Sequence, residues 1–165
     1  MKKLYLLRHG KSSWEYPELD DFERPLNKRG RRDVPVIGKL LNKQKINPDL
    51  IITSPAVRAA FTARVIAEII SYPEKKIVYE HAVYDASVLA LVNVIHNVDD
   101  RMNQLMLVGH NPGFTSLINY LADKNLDNLP TAGLYGMEFS ISRWNEVTEN
   151  SGKAILYEYP KKYKS

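Results

Sequence analysis

At 165 residues, with 44% hydrophobic and 25% charged side chains, the chain has the make-up of one folded domain, spanning 1–165. The absence of cysteine excludes disulfides, thiolate nucleophiles and Cys-based metal sites. No apolar run approaches the roughly 18 residues of a membrane span, and the formal charge of +4 is modest.

Leu4-Tyr5-Leu6-Leu7 reads as a buried strand over 3–7, stopped by Arg8-His9-Gly10. A polar loop rich in acids and aromatics follows from Ser12 to Pro25. A helix is predicted from about Asn27 to Asn42, with Leu26, Val34, Ile37, Leu40 and Leu41 as its apolar residues. Pro35 falls inside that pattern, so a later start or a kink is expected. Strand 49–53 runs through Ser54-Pro55 into a helix ending near Ser71, with Pro55 suited to a first turn. Ile77-Val78-Tyr79 reads as a short strand, and Ser87 to about Asn97 as a helix turning Leu91, Val92 and Ile95 inward. Strand 105–108 precedes a helix from Gly113 to about Ala122. Leu134–Ile141 and Ala154–Tyr159 read as two strands joined by a polar turn containing Asn150, Ser151 and Gly152. This order predicts an α/β fold: a mainly parallel sheet wrapped by helices, with a C-terminal antiparallel pair closing one edge.

Three apolar strands therefore end in residues that carry chemistry. The first ends in Arg8-His9-Gly10, the second in Ser54-Pro55 with Arg58 beyond, the third in Gly109-His110-Asn111-Pro112-Gly113. In open α/β sheets ligands bind outside the carboxyl ends of the strands. Gly10 is expected to let the backbone turn sharply and an anion approach closely.

The composite resembles the histidine phosphatase superfamily, whose nucleophile is the His of an Arg-His-Gly motif. Further segments resemble its SixA-type phosphohistidine phosphatase branch: Asp20-Asp21-Phe22-Glu23-Arg24-Pro25-Leu26 with Gly30, Ser-Pro-x-x-Arg-Ala at Ser54–Ala59, Val83-Tyr84-Asp85-Ala86, and Pro130-Thr131-Ala132-Gly133. The resemblance implies a three-layer α/β/α sheet, with His9 as nucleophile, Arg8 and Arg58 as phosphate clamps, and His110 as a protonated donor to the phosphoryl oxygens. Arg24 and Asn111 are candidate substrate contacts, with pairing to Asp20 or Asp21 the structural alternative for Arg24. An imidazole attacks phosphorus when its free nitrogen is neutral, and neighbouring arginines disfavour the imidazolium. The carboxylic acid that ester-hydrolysing members use to protonate the leaving oxygen is poorly represented. Glu80 and Asp85 are the candidates, and Asp85 could instead contact substrate or cap the helix near Ser87.

The expected reaction is hydrolysis of a phosphohistidine P–N bond on a protein through a phospho-His9 intermediate. A phosphatase for small phosphate esters and a non-catalytic phosphate-binding module are the alternatives. No cofactor and no metal are expected, since His81 and His96 lack ligand spacing. The basic runs Lys28–Arg32 and Lys161–Lys164 read as a solvated helix start and a terminus rather than a nucleic-acid site. A cytoplasmic monomer is expected, with no membrane or nucleic-acid partner and with a phosphorylated protein or small molecule as its substrate.

Overall fold

The structure is a computed structural model and describes residues 1–163; Lys164 of the basic tail lies outside the described residues. Six strands form a single sheet in the order β3-β2-β4-β1-β5-β6: β1 (Lys2–Arg8), β2 (Leu50–Thr53), β3 (Val78–Tyr79), β4 (Gln104–Gly109), β5 (Leu134–Phe139) and β6 (Lys153–Glu158). β1 to β4 are parallel to one another, whereas β5 and β6 run antiparallel and close one edge. The fold is the expected three-layer α/β/α arrangement.

Alternation along the strands sorts side chains between the two faces. Leu4, Leu6, Leu105, Leu107 and Ile52 pack on one side against α3 (Val88–His96) and α4 (Gly113–Ala122). Tyr5, Leu7, Ile51, Met106 and Val108 pack on the other against α1 (Lys28–Lys43) and α2 (Val57–Ile69). With both faces covered, the central strands read as continuous apolar runs rather than as alternating ones.

α1 begins at Lys28, ahead of Pro35. The Asn27 side chain accepts the Gly30 N–H at 2.8 Å, and the helix runs on through Pro35. The cap of α3 is Ser87, whose hydroxyl accepts from the Ala90 N–H; Asp85, offered above as a cap, stands outside the helix with a positive φ of 51°. The segment between β5 and β6 is more than a polar turn. β5 stops at Phe139, and a 3₁₀ turn at Trp144–Glu146 buries Trp144 completely, its indole N–H donating to the Met102 carbonyl at 2.7 Å. No helix among the described residues is long and apolar enough to cross a membrane.

Candidate active site

Register fixes the site. Arg8 lies opposite Gly109 and Thr53 opposite Val108, so β1, β2 and β4 end at one level and release His9, Ser54 and His110 side by side. The imidazole centroids of His9 and His110 are 5.1 Å apart. A cleft of about 530 Å³ opens above them, lined by Arg8, Arg24, Arg58, Asp85 and Asn111 of the predicted set, together with Lys11, Ser12, Trp14, Asp21, Tyr84 and Thr131.

His9 is held in one tautomer. Its Nδ1 lies 2.7 Å from the Gly10 carbonyl, which can only accept, so Nδ1 carries the hydrogen and Nε2 keeps its lone pair. The Arg58 Nε–H donates to that lone pair at 3.3 Å. Burial pushes the His9 pKa down to about 3; the Gly10 contact works the other way, while His110, Arg58 and Arg8 add to the fall. The ring is therefore neutral across the physiological range, as a nucleophile requires.

His110 departs from the sequence expectation of a protonated donor. Burial, then Arg58 and Arg8, bring its pKa down to about 4, with Asp21 opposing, so the ring is neutral in this structure. Its Nε2 meets the Ser54 hydroxyl at 2.7 Å, while its Nδ1 is buried without a protein partner. A Ser54 hydroxyl that donates to Nε2 leaves the hydrogen on Nδ1, where it can be given to an anion. A bound dianion would also raise the pKa of this ring and restore the charge.

The arginines have distinct settings. Arg8 Nη1 donates to the Leu129 carbonyl at 2.9 Å and its Nε is buried without a partner; burial and Arg58 both work against its charge. A buried guanidinium, Arg58, and a half-buried one, Arg8, in one cleft favour an anion with several oxygens. Arg58 turns Nε to His9 and its outer nitrogens to Asp21, Nη2 reaching the carboxylate at 2.9 Å. Arg24 realises its structural alternative: it pairs with Asp21 at 3.1 Å, donates to Ser12 Oγ at 3.0 Å, and lies 3.7 Å from the centre of the Trp14 ring. It still lines the cleft.

Gly10 is not among the residues that line the cleft. Its N–H donates to Thr62 Oγ1, and a Cβ on it would meet Val34 at 2.8 Å, so its smallness serves packing against α1. Asn111 lines the cleft, but its amide is engaged by Asn128, Leu129 and Thr115, which ties down the loop before α4. Glu80 faces a different depression and accepts the Ala82 N–H, so it caps a turn away from the site. Asp85 is exposed on the rim.

Asp21 and Tyr84 are members that the sequence reading placed only within motifs. The Tyr84 hydroxyl donates to Asp21 Oδ2 at 2.7 Å, and its ring stands edge-on to His110 with centroids 5.4 Å apart. Burial acts against the Asp21 charge, but Tyr84, Arg58 and Arg24 outweigh it and hold the carboxyl well below the usual range. The acid-then-Arg spacing of the 12–25 loop was the available signal; that Asp21 reaches Arg58 depends on how the loop folds back over α2.

The fold and the paired His/Arg cleft are similar to those of histidine phosphatase superfamily enzymes, and residues 4–80 match the model of the histidine phosphatase superfamily (branch 1). The solved structures that the chain resembles include SixA-type members. It superposes on the putative phosphohistidine phosphatase SixA from Agrobacterium tumefaciens with a TM-score of 0.83 at 27% identity, over 96% of this chain and 98% of that one. The protein histidine phosphatase SixA complexed with tungstate gives 0.84 at 16% identity, over 98% and 99%. An uncharacterized chloroplastic protein of Arabidopsis thaliana is 27% identical over 160 residues, 92% of this chain and 72% of its own length.

Proposed function

We propose that this phosphatase hydrolyses phosphohistidine on a protein through a phospho-His9 intermediate. His9 Nε2 attacks phosphorus, the P–N bond breaks, and its electron pair stays on the departing imidazole. Arg8, Arg58 and His110 hold the phosphoryl oxygens as charge moves across them. Water then attacks phospho-His9, giving inorganic phosphate and returning the neutral ring.

One observation carries the choice of substrate. The cleft sets a neutral His9 against a carboxylate, Asp21, that is tied to Arg58 and Tyr84 and stays ionised, while Glu80 lies elsewhere. Asp21 is thus a poor proton donor. Proton donation to a leaving group is typically worth about 10²–10⁴-fold, and an alkoxide depends on it heavily. A ring with a pKa of about 6.5 leaves neutral when its other nitrogen already carries a proton. The site therefore suits a P–N bond.

The test is a panel of a phosphohistidine protein, phosphoramidate, an aryl phosphate and sugar phosphates. The expected order of kcat/KM puts the phosphohistidine protein first by orders of magnitude and the aryl phosphate between it and the sugars. Labelled phosphate should be trapped on His9 and lost in His9→Ala. A sugar phosphate as best substrate, abolished by Asp85→Asn, would place an acid on the rim and replace this reading with hydrolysis of small esters.

A further inference from the structure

We propose that Asp21 is a specificity-determining residue: its carboxylate, at the mouth of the cleft, accepts the N–H of a protonated imidazole leaving group and offsets its charge. The proposal deepens the phosphohistidine reading above and rests on it for the identity of the ring.

The cleft is graded from floor to rim. His9 and His110 are buried, and the Arg58 side chain is 6% exposed, against 53% for that of Asp21. In-line displacement places the leaving group opposite the nucleophile. Because His9 closes the floor, that direction is outward, past Asp21, Tyr84 and Asp85. A carboxylate offers about four acceptor positions. Arg58 and Tyr84 take two on Oδ2 and Arg24 takes one on Oδ1, so one remains for a donor arriving from the mouth.

The rim holds groups of both signs. Lys11 and Arg24 line the same cleft as Asp21 and Asp85, but Arg24 is directed to Asp21 and stacked on Trp14. Asp21 stays ionised at neutral pH. A phosphohistidine ring has its charge before the P–N bond breaks and has lost it afterwards. The attraction is therefore strongest in the bound substrate, and it acts on KM more than on kcat. For a leaving group that carries extra negative charge, the same carboxylate is repulsive.

Asp21→Asn keeps the size of the side chain and an oxygen for Arg58 while removing the charge. Its KM for a phosphohistidine peptide should rise roughly three- to tenfold, as for a half-exposed ion pair. That rise should remain after division by the change in KM for 4-nitrophenyl phosphate, which reports whatever is passed on through Arg58, and Asp21→Glu should restore the difference. If Asp21 merely holds Arg58, both substrates lose activity by one factor and the proposal fails.

A second measurement needs no variant. Wild-type enzyme should bind phosphocholine more tightly than its uncharged isostere 3,3-dimethylbutyl phosphate, by inhibition constants at low salt. Equal constants overturn the role of Asp21 whatever the fate of the phosphohistidine reading. A clear preference for phosphocholine in an enzyme that does not turn over phosphohistidine keeps the role and removes that reading.

Discussion

His9 and His110 are two imidazoles kept neutral by burial and by guanidinium neighbours, and that arrangement has a thermodynamic consequence. In the unfolded chain each takes up a proton near pH 6.5; in the folded chain they do so near 3 and 4. Above pH 6.5 both states are neutral and the native state keeps its full stability. As pH falls from 6.5 toward 4 only the unfolded state gains protons, so stability falls, by roughly 1.4 kcal/mol per pH unit for each histidine. Thermal unfolding in buffer without oxyanions should show Tm dropping over that window, and a His9→Gln, His110→Gln double variant should flatten the slope. A wild-type Tm that is level between pH 7 and pH 5 would contradict the buried neutral pair. The residues of this pair were legible because Arg-His-Gly and Gly-His each end an apolar run. The roles of Gly10 and Asn111 were not, since a glycine required by Val34 and an asparagine required by Thr115 look in sequence like residues beside a ligand.

Among the elements, α1 is the one that sets the height of the nucleophile. Its first turn lies against the segment leaving β1: a Cβ on Gly30 would come within 2.3 Å of the Lys11 carbonyl oxygen and 2.9 Å of the Lys11 nitrogen. Those are backbone atoms two residues from His9, so the clash cannot be relieved by a rotamer change. Gly30→Ala should therefore destabilise by about 1–3 kcal/mol despite the better helix propensity of alanine, and should also lower kcat by displacing His9. Gly38→Ala, whose Cβ would meet the Ile69 side chain between α1 and α2, should cost less stability and leave kcat unchanged. Denaturant midpoints and kcat of the two variants measure the difference, and equal loss of kcat in both would detach α1 from the site. Strand and helix order was readable here from apolar runs and helical periodicity; the start of α1 at Lys28, ahead of Pro35, was not, because a proline inside the pattern led to a later start or a kink being expected. Trp144 was not readable. It sits in a polar stretch, and its burial depends on Lys2 at the start of β1 and Met102 in the loop before β4, both far away in sequence.

At the scale of the whole molecule, two apolar layers clamp the sheet, and at the carboxyl ends of its parallel strands the cationic groups Arg8 and Arg58 converge. An oxyanion bound between them would relieve their mutual repulsion. An ion that binds the native state alone stabilises it by RT ln(1 + [L]/Kd), about 2.7 kcal/mol at a hundredfold excess over Kd. Tungstate or phosphate should thus raise Tm, and the rise should shrink in Arg58→Ala and in Arg8→Ala. It should be larger at pH 6 than at pH 8 if the anion draws a proton onto His110, because binding then takes up that proton. Among the described residues no group of three or more His, Asp or Glu side chains is placed to hold a metal ion. With Arg8 and Arg58 placed to carry the phosphoryl charge, both turnover and the anion-dependent Tm rise should persist in EDTA. Activity lost in chelator and restored by one divalent cation would show instead that a metal, and not the guanidinium pair, carries the phosphoryl charge.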